Sequence, residues 1–94
     1  MKRGKKMKIH ELKIWEDFAG AVYSGEKTFE LRENDRGFQK GDLIRFNVID
    51  KLMGTPRVHP LNHMEYEITY ILNGWGLKEN YVVLAIKPVK GTKY

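Results

Sequence analysis

Lys27, Glu30 and Arg32 crowd into the segment Gly25-Glu26-Lys27-Thr28-Phe29-Glu30-Leu31-Arg32. Residues two apart on an extended chain point to the same side, so Glu30 and Arg32 share one surface. Lys27 follows a glycine that suits a helix end. Arg32 offers a planar fork of donors that matches phosphate, carboxylate or a base edge. Glu30 can orient either cation or accept from a ligand amine. A lysine beside a carboxylate is also the minimum equipment for acid–base chemistry. The plainer reading is a surface ion-pair ladder of little energetic consequence. Spacing alone favours that plainer reading.

The elements around this segment follow from periodicity. Ile9 to Ile14 alternates, with Leu12 and Ile14 on one face and Glu11 and Lys13 on the other, as in a half-buried strand. From Trp15 to Ser24 the spacing becomes helical, and Ser24-Gly25 supplies the stop. Alternation returns from Thr28 to Arg32, where Phe29 and Leu31 are expected to pack behind the polar face. Leu43 to Ile49 and Met64 to Leu72 read as strands, and the apolar run Tyr81 to Ile86 suits a strand buried on both faces. The connection Asp50 to His63 is long for so small a domain, which marks it as mobile or functional. One early helix followed by strands predicts a mixed α+β, mainly β fold: a small barrel of about five strands with a short helix after the first.

Ninety-four residues make one domain. The expected division is a basic N-terminal tail over 1–8, the folded domain over 9–88 and a basic C-terminal tail over 89–94. The net charge of +5 belongs to the ends. Between Ile9 and Ile86 there are nine basic and twelve acidic residues, a net charge of −3. A basic tail suits a phosphate-binding arm and equally a solvated end, so the isoelectric point is weak evidence for nucleic acid. The chain has no cysteine, which excludes disulfides, thiolate zinc sites and a cysteine nucleophile, and suits a reducing cytoplasm. No apolar run approaches the ~20 residues of a membrane span, and the basic N-terminus has no apolar stretch behind it. No metal or cofactor is expected. His59 and His63 are four apart, but Pro60 and Asn62 between them argue for loop.

The pattern Gly25-x-Lys27-x-x-Glu30-x-Arg32 after a short helix resembles the ASCH domains, a branch of the PUA-like superfamily. Three further segments resemble a narrower bacterial and phage family of small, uncharacterised ASCH-like domains: His10 to Trp15, Asn34 to Asp42, and Tyr70 to Leu77. The likeness covers about Ile9 to Lys87. It implies a β-barrel with a cleft beside the helix and motif strand. It also implies RNA or a nucleotide as partner, because relatives bind RNA or modified bases. The resemblance extends to small amidohydrolases that deacylate N4-acetylcytidine. Those carry a catalytic threonine three residues after the lysine, where this chain has Glu30.

The expectation is therefore a binding module for RNA or a modified base. Lys27, Arg32 and Arg36 would neutralise phosphate and Glu30 would read an amino group. Trp75 or Tyr81 would stack on a base, and His10 and Lys13 would reach the same cleft. Trp15 is expected in the core. The rival expectations are a hydrolase acting on a modified nucleoside or RNA through Lys27 and Glu30, and a phage or host regulatory module whose business is protein contact.

Overall fold

The computed structural model describes residues 7–89. It is mainly β: five strands form one curled sheet, a half-barrel, with a helix after the first strand. The strands are β1 (Ile9–Trp15), β2 (Phe29–Glu33), β3 (Leu43–Ile49), β4 (Glu65–Asn73) and β5 (Tyr81–Pro88), and α1 spans Glu16–Ser24. Their spatial order is β1-β3-β4-β5-β2. β1 runs parallel to β3 and every other neighbour is antiparallel. β1 and β2 are therefore the two edges of the sheet. No helix among the described residues is long and apolar enough to cross a membrane.

The alternation of β1 is realised as expected. His10, Leu12 and Ile14 point in; Ile9, Glu11, Lys13 and Trp15 point out. Leu12 and Ile14 meet Ile44, Phe46 and Val48 of β3, Ile68 of β4 and Leu84 of β5 in a single core. α1 contributes Ala19 and Val22 to it. Glu16 and Asp17 lie in the first turn, where the helix dipole favours them. Gly25 ends the helix at φ 89°, and its N–H donates to the Val22 carbonyl at 3.2 Å. The Lys27 N–H then donates to the Ala21 carbonyl at 2.9 Å, which turns the chain back toward β2.

Three expectations are corrected here. Phe29 and Leu31 do not pack behind β2; they lie on the convex face at about half exposure, and Glu30 points inward. Alternation identifies which residues share a face but not which face is inside, and on this edge strand the polar set closes the interior. Trp15 is not in the core. It has the parity of Lys13 and Glu11, so it stands on the outer face, 45% exposed. β5 is not fully buried on both sides: Val82, Leu84 and Ile86 are in the core, while Tyr81, Val83 and Ala85 remain partly exposed.

The tail lysines at 2–6 and at 90 and 93 lie outside the described residues. Lys8, the last residue before β1, accepts at its carbonyl from Leu43 N–H at 2.8 Å.

Candidate functional site: the seam between the edge strands

A curled sheet that does not close leaves a seam between its edges. Odd-numbered residues of β1 turn their main-chain groups away from β3, because N–H and C=O of one residue point to the same side of a strand. The Glu11 and Lys13 carbonyls thus face the seam. From the opposite edge, Arg32 Nη2 donates to the Lys13 carbonyl and Arg36 Nη1 donates to the Glu11 carbonyl at 3.1 Å. Two guanidinium groups bridge where a strand-to-strand ladder would otherwise run.

Beneath Arg32 lies Glu30, a carboxylate with 5% of its surface exposed, opposite Leu84 of β5. An unpaired buried carboxylate is costly. Glu30 is paired twice. Its Oε1 accepts from Lys27 Nζ at 3.1 Å, and its Oε2 accepts from Arg32 Nε and Nη2, each at 2.8 Å. Lys27 Nζ also donates to the Phe29 carbonyl at 2.9 Å and sits 4.8 Å from the Phe29 ring centre and 5.9 Å from that of Phe18. The three charges sum to +1 in a partly enclosed site.

A cleft of about 370 Å³ opens along the seam. Glu30 and Arg32 line it from the inner side, Lys13 and Trp15 of β1 and Leu31 and Glu33 of β2 line it from the two edges, and Phe18 and Tyr81 complete the lining. That size is in the usual range for a small-ligand site. Trp15 and Phe18 stack at the rim with ring centres 6.0 Å apart and planes 14° from parallel.

Residues 9–86 match a family described as a domain of unknown function, DUF3850. The chain belongs to the DUF3850 family. No curated protein matches it. The matched region of this DUF3850 domain contains every residue that lines the seam cleft.

Of the residues expected at the site, Lys13, Glu30, Arg32 and Tyr81 line the cleft of the DUF3850 domain. Arg36 bridges the seam beside it and pairs with Asp35 at 3.7 Å. Lys27 touches the site through Glu30 but lines a different concavity, with Tyr23, Gly25 and Thr28. Trp75 is elsewhere: it sits on the β4–β5 loop at φ 50°, 89% exposed, neither stacked in the cleft nor folded onto the barrel. His10 is also elsewhere. It is buried, its Nε2 lies 2.8 Å from Asp42 Oδ2, and its ring meets the Phe38 ring edge-on at 4.7 Å. Asp42 organises the turn before β3, accepting also from Gln39 N–H at 3.0 Å and Lys8 N–H at 3.4 Å. Burial pushes the Asp42 carboxyl up, but the His10 ring and these N–H groups outweigh it and hold the group below its ordinary range. His59 caps the short 3-10 turn Pro60–His63, its Nδ1 accepting from Leu61 N–H at 3.1 Å.

Five cleft residues were not among those expected, Ile14, Trp15, Phe18, Leu31 and Glu33, and the two aromatic ones bear most on binding. The signal for Trp15 was present: strand parity puts it with Lys13, on the outside. For Phe18 the spacing misled: it lies one turn from Val22 on α1, but Val22 is buried and Phe18 is half exposed.

Proposed function

We propose that the seam cleft binds a nucleotide unit of single-stranded RNA, or a modified base. The observation that carries this reading is the half-exposed Trp15–Phe18 stack at the mouth of a cleft lined from the inner side by the Glu30–Arg32 pair. An exposed aromatic plane takes a base face without regard to sequence. A guanidinium and a carboxylate behind it supply a donor fork and an acceptor for base edges or phosphate. Each Glu30 oxygen has two lone pairs, so Oε1 can accept from a base amino group as well as from Lys27. Arg32 commits Nε and Nη2 to Glu30 and Lys13, and Nη1 is the nitrogen through which it reaches the ligand.

The likeness of Gly25, Lys27, Glu30 and Arg32 to the ASCH branch of the PUA-like superfamily supports the same reading. The geometry favours binding over turnover. Lys27 is held by Glu30, by the Phe29 carbonyl and by two rings. Thr28 lies with Lys27 outside the seam cleft.

The test is a fluorescence-anisotropy titration of a mixed-sequence single-stranded RNA decamer against wild type and Trp15→Ala. Trp15 is outside the core, so the variant should fold normally and weaken binding about 5- to 150-fold, as stacking is worth ~1–3 kcal/mol per base. Equal affinity for the two proteins would end the proposal.

A further inference from the structure

The β3–β4 connection matches none of the motifs above, yet it is a built element. Asp50 accepts from the N–H groups of Met53 at 2.8 Å and Leu52 at 3.0 Å, and from Thr55. The Met53 N–H and the Thr55 hydroxyl are the main causes that hold its carboxyl down to about 2. Pro56 bridges back to Ile49. Asn62 Oδ1 accepts from Val48 N–H and its Nδ2 donates to the Arg57 carbonyl, both at 2.8 Å, while Arg57 N–H donates to the Val48 carbonyl at 2.9 Å. The connection is thereby fixed alongside β3, on the side away from β1 and beyond the stretch that pairs with β4, as a wall beside the outer face of β3. Between wall and sheet lies a second concavity of about 460 Å³.

Its polar lining is Lys13, Asn47, Arg57 and Asn62, with Ile49 and Pro56 as its apolar side chains; no carboxylate lines it. The nearby acids are occupied. Glu16 pairs with Arg57 Nε at 3.3 Å, and Glu11 accepts from Asn47 Nδ2 at 3.1 Å and faces Arg45 at 3.9 Å. Lys13 lines both this concavity and the seam cleft. It stands opposite Asn47 in the β1–β3 register, on the same face as Trp15. Lys27, Arg32, Arg36, Lys51 and Arg57 each have a carboxylate within 4 Å. The Lys13 ammonium makes no hydrogen bond or ion pair with any described residue.

We infer that the binding site spans two successive nucleotides, with the second held between the outer face of β3 and the β3–β4 wall and the linking phosphate held by Lys13. This rests on the nucleotide reading of the seam cleft. A phosphodiester carries one negative charge per step, and an unpaired ammonium astride the edge that separates two concavities is where that charge is best placed. Arg57 and Asn47 supply donors and an acceptor for the second sugar and base, and Ile49 and Pro56 give that base something to lie on.

The experiment titrates 15N-labelled full-length protein with adenosine 5′-monophosphate and then with mixed-sequence RNA dinucleotides and tetranucleotides. The monophosphate should shift the amides of Trp15, Glu30 and Arg32 only. The dinucleotide should also shift Asn47, Arg57 and Asn62, and bind at least about tenfold more tightly. Arg57→Ala, a change at a half-exposed side chain, should remove most of that gain and leave the monophosphate affinity as it was. Lys13→Gln should lower the salt slope for the tetranucleotide by about 0.7, the loss of one single-strand phosphate contact. Cleft shifts without shifts at Asn47 and Arg57, or a dinucleotide no tighter than the monophosphate, would overturn the second subsite and leave the cleft reading intact. No shift at Trp15, Glu30 or Arg32 with any of the three would overturn both.

Discussion

The guanidinium of Arg32 on β2 donates to the main-chain carbonyl of Lys13 on β1, joining two edge strands that share no ladder. Exposed edges invite pairing with other chains, and proteins commonly blunt them with charge. Here the charge is turned inward and across. The same side chain neutralises Glu30 below the seam and bridges the seam above it. Binding surface and sheet closure therefore depend on one residue.

Arg32→Ala should accordingly cost stability as well as binding. It leaves Glu30 with Lys27 as its single cation and removes one seam bridge. Breaking a fully buried pair costs about 3–5 kcal/mol. Arg32 is a quarter exposed, so about 1–3 kcal/mol is expected once solvent screening is allowed for. Urea denaturation at neutral pH measures it, and Arg32→Lys should recover part of the loss by restoring charge without the fork. An Arg32→Ala midpoint equal to wild type would mean the seam bridge contributes nothing.

Asp42 sets an acid limb. Its folded carboxyl titrates below the ordinary value of 3.8. Its contribution is therefore complete above that value and is lost as pH falls through the lower, folded one. Asp42→Asn should be less stable than wild type at pH 7, and the gap should narrow as pH is lowered below about 4. Chemical-denaturation midpoints of the two proteins at matched pH check this, since the remaining carboxylates, Asp50 among them, are common to both. A constant gap down to pH 2 would contradict it.

Gly25 is needed for its backbone and not for its size. At φ 89° a side chain is strained, while a Cβ there would meet no atom within 4 Å. Gly25→Ala should cost about 1–2 kcal/mol. Because the same cap delivers Lys27 toward Glu30, the variant should also shift the Lys27 and Glu30 amide resonances. A thermal melt and an amide spectrum are the two readouts, and an unchanged melting temperature would exclude the strain.

The basic ends and the cleft should differ in kind. Removing residues 1–6 takes away four of the cations that outweigh the −3 of the central region. RNA affinity should fall about equally for all sequences and the salt slope should flatten, because phosphate contacts carry no base information. Arg32→Ala should instead reduce discrimination among ligands and keep most of the salt slope. Truncated protein that binds as tightly and as salt-sensitively as the full chain would make the basic end irrelevant.

Much was legible in the order of residues alone. Period-two alternation in β1 placed Leu12 and Ile14 inside. The change of period at Trp15 and the stop at Gly25 bounded the helix. The spacing of Glu30 and Arg32 put them on one side of a strand, and they are there, 2.8 Å apart. These are local properties: they depend on backbone geometry over a few residues, and a sequence states them directly.

What the tertiary structure decided is which side of each element faces in, and what stands across from it. Alternation in Phe29-Glu30-Leu31-Arg32 is symmetric between its two faces, and hydrophobicity argued for the wrong one. Only the curl of the sheet, with β2 at its open edge and Leu84 beside Glu30, made the polar face the interior one. In the same way, His10 and Lys13 are three residues apart on one strand but opposite in parity. One is buried against Asp42, 32 positions away in sequence, and the other stands on the rim of the cleft. Pairings of that range depend on how the strands are ordered in space, and strand order is a property of the whole sheet that no local pattern contains.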